Sequence, residues 1–192
     1  MKMKFVFLML ISITISNHAK TVSRDMEEAI YDLNLERVKG LIKAGNDSVN
    51  DEIHHSSLLP YVIEYYASLS KGEKYRPTSP IGFKSSNPTH DAKQIIIFLL
   101  ENGAPINGTY FARNYHKMTG LHIAVAENLP DIVELLLDHG ADTSIEDDEH
   151  RTPYAIAVEK KNQKMKEILS QRKTAQGFAK VKGDVTTRHI KK

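Results

Sequence analysis

Apolar residues recur at helical spacing in four places along the chain, and glycine closes three of them. Val38, Leu41 and Ile42 precede Gly45; Ile95, Ile96, Phe98, Leu99 and Leu100 precede Gly103; Val133, Leu135 and Leu136 precede Gly140. Met165, Ile168 and Leu169 form a fourth stripe with no glycine behind it. Residues three and four apart share a helix face, so each stripe predicts a helix with one side against a neighbour. Glycine after the last turn takes positive φ without a Cβ penalty and stops the helix. A shorter apolar stretch lies upstream of each stripe: around Met26–Ile30, in Ser57–Ala67, in Leu121–Ala126, and from Thr152 onward. Thr119 and Thr152 stand where an N-cap accepts a backbone N–H, and Pro153 suits a first turn because its missing donor is an orphan there. The pattern therefore predicts four pairs of short helices.

The third and fourth pairs share more than a pattern. From Thr119 the chain reads T-G-L-H-I-A-V-A-E-N-L-P-D-I-V-E-L-L-L-D-H-G-A-D, and 33 residues after Thr119 it reads T-P-Y-A-I-A. That period, with those residues, resembles the ankyrin repeat. The resemblance covers roughly residues 24–172 and is weakest over 51–107. It implies an all-α, ankyrin-type solenoid of about four helix-turn-helix repeats with short hairpin connections, at about 24–50, 51–107, 117–149 and 150–172. It also implies that His122 bonds the neighbouring turn through Thr119 and backbone, and that hairpin tips and first helices form the partner-binding face. Each unit cannot bury its apolar face alone and must stack. Gly120 stands where the family has proline. Glu27 and Glu28 suit a first unit that faces water. In the second unit Ser68–Thr89 reads as an inserted loop of about twenty residues, longer than a compact domain needs for connection, with the second helix starting near His90 or Asp91.

The two ends of the chain read differently from its body. Lys2 and Lys4 precede an apolar run from Phe5 to Ile15, and Ala19 closes a small polar stretch. This is the pattern of a secretory signal peptide over 1–19, too short to span a bilayer, with cleavage expected after Ala19. The expected location is secreted or periplasmic, with no stable membrane span in the mature chain. The formal charge of +2 hides a split. From Lys20 to Arg172 there are 18 basic and 23 acidic residues; from 173 to 192 there are six basic residues against Asp184 alone. The tail 173–192 reads as basic and disordered. Neither segment has the charge of a nucleic-acid-binding protein. The chain has no Cys, which excludes disulfides, thiolate metal sites and a thiol nucleophile.

Catalytic motifs are missing: there is no phosphate loop, H-E-x-x-H, G-x-S-x-G or dinucleotide fingerprint. No catalytic, cofactor-binding or metal residue is assigned, and no cofactor is expected. His54-His55 reads as a solvated turn, because adjacent residues rarely point at one ion. Glu146-Asp147-Asp148-Glu149 reads as a solvated hairpin tip without the spaced ligands of a calcium loop. Asn46-Asp47-Ser48 and Asn107-Gly108-Thr109 match glycosylation sequons, but turn chemistry explains both. The partner-binding candidates are Tyr110, Phe111, Arg113, Tyr115 and Lys117, in a hairpin longer than the family turn; aromatics and Arg dominate binding hot spots. These side chains are expected to be mostly exposed, or, in the alternative for Tyr110 and Phe111, to pack the loop down. Tyr61, Tyr65 and Tyr66 would add to that face or to the core. The expected function is an exported, monomeric protein-protein interaction module with an unidentified protein partner and no catalysis of its own. The alternatives are a host-directed effector of a symbiont or pathogen, or a metal-binding protein or enzyme built on His90 with Asp91 or on His54-His55.

Overall fold

The computed structural model describes residues 20–73, 85–112 and 115–171. Residues 1–19, read above as a signal peptide, residues 74–84 of the insertion, residues 113–114 and the tail from 172 lie outside the described residues, as do the side chains of residues 112, 115 and 116. Eight helices stack in pairs. The first helices are α1 (Arg24–Tyr31), α3 (Leu58–Ser70), α5 (Gly120–Ala126) and α7 (Pro153–Glu159). The second helices are α2 (Leu35–Lys43), α4 (Pro88–Glu101), α6 (Pro130–Asp138) and α8 (163–171).

Local chemistry repeats from pair to pair. Ser23, Thr119 and Thr152 each cap a first helix by accepting the N–H three residues on, from Met26, His122 and Ala155. Asn34, Asn87 and Asn162 do the same for second helices. Gly45, Gly103 and Gly140 have φ of 73, 80 and 86° and close α2, α4 and α6. Behind each glycine, an N–H bonds five residues back: Asn46 to Leu41, Ala104 to Leu99, and Ala141 to Leu136. A left-handed residue followed by that bond satisfies the orphan carbonyls of a helix end.

The apolar stripes meet where the pattern predicted. Val38, Ile95, Ile96, Leu99, Val133, Leu136 and Met165 are fully buried. α5 lies between α3 and α7, and α3 packs against α4. The second unit departs from the expected helix ends. α3 runs to Ser70, closes at Gly72 (φ 79°), and α4 starts at Pro88 behind its Asn87 cap. Three extra helical residues of α3 and the Pro88–Thr89 turn therefore come out of the stretch read as loop.

Two hairpins carry short strands. β1 (Glu52–Ile53) pairs with β2 (Ser56–Ser57), and β3 (Thr109–Ala112) pairs with β4 (Tyr115–Thr119), both antiparallel. His54 and His55 make the two-residue turn of the first, with φ of 49 and 64°. Positive φ at both centres is what a tight hairpin turn requires. The Ser56 hydroxyl accepts the Phe111 N–H at 2.9 Å, joining the two hairpins side by side. Upstream, the Lys20 carbonyl and the Val22 N–H both bond Glu52, at 2.8 Å each, so the chain is anchored from Lys20 onward.

Candidate partner-binding face

The second hairpin sorts the candidate residues by strand alternation. Tyr110 is opposite Met118 in the ladder, and both point inward, 8% and 4% exposed. Phe111 points outward at 49% exposure. Lys117 is exposed and sits at φ 53°. The expectation of an exposed Tyr110 is therefore corrected. Residues 109–112 form a strand and not a loop, and a period of two sends neighbours to opposite faces. Tyr115 belongs to β4, but its side chain, like Arg113, lies outside the described residues.

Tyr110 joins an aromatic cluster that links its hairpin to the first two units. Its ring centroid is 6.1 Å from that of Tyr61, which lies 6.3 Å from Tyr31; Tyr31 is 5.8 Å from Tyr65. The Tyr31 and Tyr61 hydroxyls bond each other, and the Tyr65 hydroxyl donates to the Tyr31 carbonyl at 3.2 Å. Burial pushes the Tyr110 phenol up to about 12, with the nearby Glu64 charge adding to it. Burial also raises Tyr61, with help from its bond to Tyr31. Of the three tyrosines on α3, Tyr61 is core, and Tyr65 and Tyr66 are half-buried. The Tyr66 hydroxyl and Lys93 both donate to Asp131, at 3.1 and 2.7 Å, tying α3 and α4 to α6. Burial pushes the Asp131 carboxyl up, but the Lys93 bond and charge outweigh it and hold it below its usual range.

The first helices and the hairpins behind them frame a groove of about 590 Å³. Met118, Ala126 and Ile156 give it an apolar floor, and Lys71, Glu127, Arg151, Glu159 and Lys160 stand round it. Lys71 pairs with Glu127, and Arg151 reaches Glu159 at 3.4 Å. None of these residues stood out in the sequence. The signal was the 33-residue period: Met118 and Arg151 share one repeat position, Ala126 and Glu159 a second, and Glu127 and Lys160 a third. One period apart, equivalent positions line the same face of a stack.

Behind the groove, His122 and Asp147 hold its walls. The Thr119 N–H donates to His122 Nδ1 at 3.2 Å, so Nε2 carries the proton and donates to the Arg151 carbonyl at 3.0 Å. This is the bond that the resemblance implied. Burial lowers the His122 imidazole below its ordinary value, against the raising effect of the Arg151 carbonyl. Asp147 corrects the reading of its run as solvated, since its side chain has no exposure. It accepts the Glu149 and Arg151 N–H groups at 2.9 Å and takes the Arg151 guanidinium at 3.0 and 2.8 Å. Those bonds outweigh burial and hold its carboxyl low. Asp148, Glu149 and Glu146 remain exposed. Both sequon asparagines are exposed, and Asn107 Oδ1 accepts the Asp142 N–H at 3.0 Å. Among the described residues, no three His, Asp or Glu converge as a metal site, and no helix is long and apolar enough to cross a membrane.

Comparison with known proteins agrees with this geometry. The family profile described as ankyrin repeats (3 copies) matches residues 86–179. The Arabidopsis thaliana serine/threonine-protein kinase VIK is 43% identical over 58 residues, covering 30% of this chain and 13% of that protein. Putative ankyrin repeat protein FPV219 of fowlpox virus is 42% identical over 53 residues, covering 28% and 11%. Human ankyrin repeat and SOCS box protein 6 is 45% identical over 62 residues, covering 32% and 14%. The chain thus spans no more than 14% of the length of these relatives. The crystal structure of the ankyrin repeat domain of Bcl-3, described there as a unique member of the IkappaB protein family, superposes with a TM-score of 0.52 at 23% identity. That alignment covers 74% of this chain and 49% of that one. The paired helices, the 33-residue period and the profile matched over 86–179 together give this chain the fold of an ankyrin-type solenoid.

Proposed function

We propose that the chain is an exported adaptor that holds a segment of a protein partner in the groove over Met118, Ala126 and Ile156, and that it has no catalytic step of its own. The observation that carries this reading is the groove itself: an apolar floor ringed by ionic side chains at the inner ends of three adjacent units. An apolar centre with a polar rim is the anatomy of a protein interface. Phe111 on β3 and Lys117 on β4 are exposed beside it in the chain and available to a partner. Export rests on the 1–19 pattern.

The test uses Glu159 and Lys160, the exposed rim residues at the end of α7. Glu159→Lys with Lys160→Glu is expected to reduce partner capture from the native compartment at least tenfold, with the melting temperature kept. Equal capture by the parent and the variant would remove the groove from consideration, and Phe111→Ser would be the next variant in the same assay. Export is checked apart from binding. Residues 1–25, fused to a reporter active only outside the cytoplasm, are expected to give activity. An uncut, silent fusion in the cytosol would refute it.

A further inference from the structure

Equivalent positions of successive units share a face of a stack. The position seven residues after a first-helix N-cap carries Glu64, Ala126 and Glu159, and the next carries Tyr31, Tyr65, Glu127 and Lys160. Four residues after the cap, Glu27 matches Ile156 of the groove floor. The tyrosine cluster of the first two units therefore lies on the face that holds the groove. Two carboxylates flank it there. Glu27 reaches His54 at 3.3 Å, and the His54 ring is 6.0 Å from that of Tyr61. Glu64 takes the Tyr110 hydroxyl and, at 3.4 Å, that of Ser68. Tyr31 and Tyr65 are half-buried, so both rings keep some surface open.

From there to the groove, carboxylates outnumber cations. Burial pushes the Glu64 carboxyl up, and the Glu73 and Glu127 charges add to that against Ser68 and Lys71. The Lys71 charge is itself taken by Glu127. Arg151 is held by Asp147 at 2.8 Å and still meets Glu149 at 2.9 Å and Glu159 at 3.4 Å. Two cations thus face six carboxylates, and Lys160 at the rim offsets one of them. We propose that the segment held on this face is basic, with one lysine or arginine over the groove floor at Glu127 and Glu159 and another against Tyr31 and Tyr65 beside Glu64. The proposal rests on the groove being the partner site and names the chemistry of that partner. A long cationic side chain lays its methylene stem on Met118, Ala126 and Ile156 and keeps its head at the rim. A cation over a tyrosine face gains further attraction. An acidic segment would meet like charge along the same line, which costs affinity.

The test uses the full-length chain and two labelled synthetic peptides, one alternating arginine with leucine and one alternating glutamate with leucine, read by fluorescence anisotropy. The arginine peptide is expected to bind about tenfold more tightly than the glutamate peptide, the scale of a few ionic and cation–π contacts, and to weaken with added salt. Glu64→Gln with Glu159→Gln is expected to lower its affinity about fivefold with the melting temperature kept. Lys71→Gln, which releases Glu127, is expected to raise it. Glu101→Gln with Glu134→Gln removes the same charge from exposed positions on second helices and is expected to change nothing. Equal losses from the two glutamine pairs would overturn the proposal, because net charge alone would then explain binding. So would a preference for the glutamate peptide, or spermidine competing as well as the arginine peptide, since the occupant would then be a small polycation. These outcomes leave the groove itself standing; it fails separately, in the capture test with Glu159→Lys and Lys160→Glu.

Discussion

Among the described residues, seven that are not glycine hold positive φ. Six of them fall at two recurring places. Leu33, Asn128 and Lys161 each precede the N-cap of a second helix, His55, Lys117 and His150 each stand two residues before the N-cap of a first helix, and His54 completes the tight turn. A non-glycine residue in this region carries a cost of order 1–3 kcal/mol. His150 has an exposed side chain whose one ionic contact, with Glu146 at 3.4 Å, is weak. His150→Gly is therefore expected to stabilise the protein by about 1 kcal/mol in urea unfolding; an unchanged or lower midpoint would show that the strain is already relieved. His122 is the opposite case, a buried residue with both nitrogens in use. Its pKa is lowered in the fold, so protonation favours the unfolded chain. The stability it provides is present above the unfolded value of about 6.5 and is lost as pH falls from there through the lower folded value. By NMR, His122 is expected to titrate below 6.5, with the melting temperature falling over the same acid range. A midpoint at or above 6.5 would mean that the ring is not desolvated.

At the scale of elements, close packing accounts for a departure from the family pattern. Gly120 opens α5 where ankyrin repeats carry proline. A Cβ there would lie 2.7 Å from Ile63 Cδ1 and 3.9 Å from the Pro60 Cα. Ile63 is fully buried and has little room to give. Gly120→Pro, the substitution towards the family pattern, is thus expected to destabilise by about 1–3 kcal/mol, the usual range for overpacking; a gain in melting temperature would refute this packing argument. The hairpin gives a paired expectation. Tyr110→Ala removes a buried ring from the cluster with Tyr61 and is expected to cost about 3 kcal/mol. Phe111→Ala, one residue on and exposed, is expected to stay within about 0.5 kcal/mol. Equal effects in chemical denaturation would contradict the alternation of β3.

At the scale of the whole molecule, stability is shared between neighbouring units. Leu136 is fully buried in the third unit, and α5 of that unit touches both α3 and α7. Leu136→Ala is expected to cost about 2–5 kcal/mol. A repeat array couples mainly through nearest-neighbour interfaces, so an interior loss should lower the melt of the flanking units as well. If hydrogen exchange rose only in residues 120–141, the units would be far less coupled than this packing implies.

What the sequence determined by itself is the part written in local terms. The helix stripes, the Gly45, Gly103 and Gly140 stops, the Thr119 and Thr152 caps and the role of His122 depend on residues within one period, and a 33-residue spacing then dictates stacking. The tertiary structure decided what the local pattern does not mark. Tyr110 and Phe111 look alike in a hairpin sequence, and only the β3–β4 ladder sends one to the Tyr61 ring and the other to solvent. Asp147 is one of four consecutive acids, and only the fold of its turn around Arg151 buries it. Lys71, Met118, Glu127, Arg151 and Glu159 are ordinary residues in their own segments. They become one groove because stacking brings equivalent positions of successive units side by side, which no single segment records.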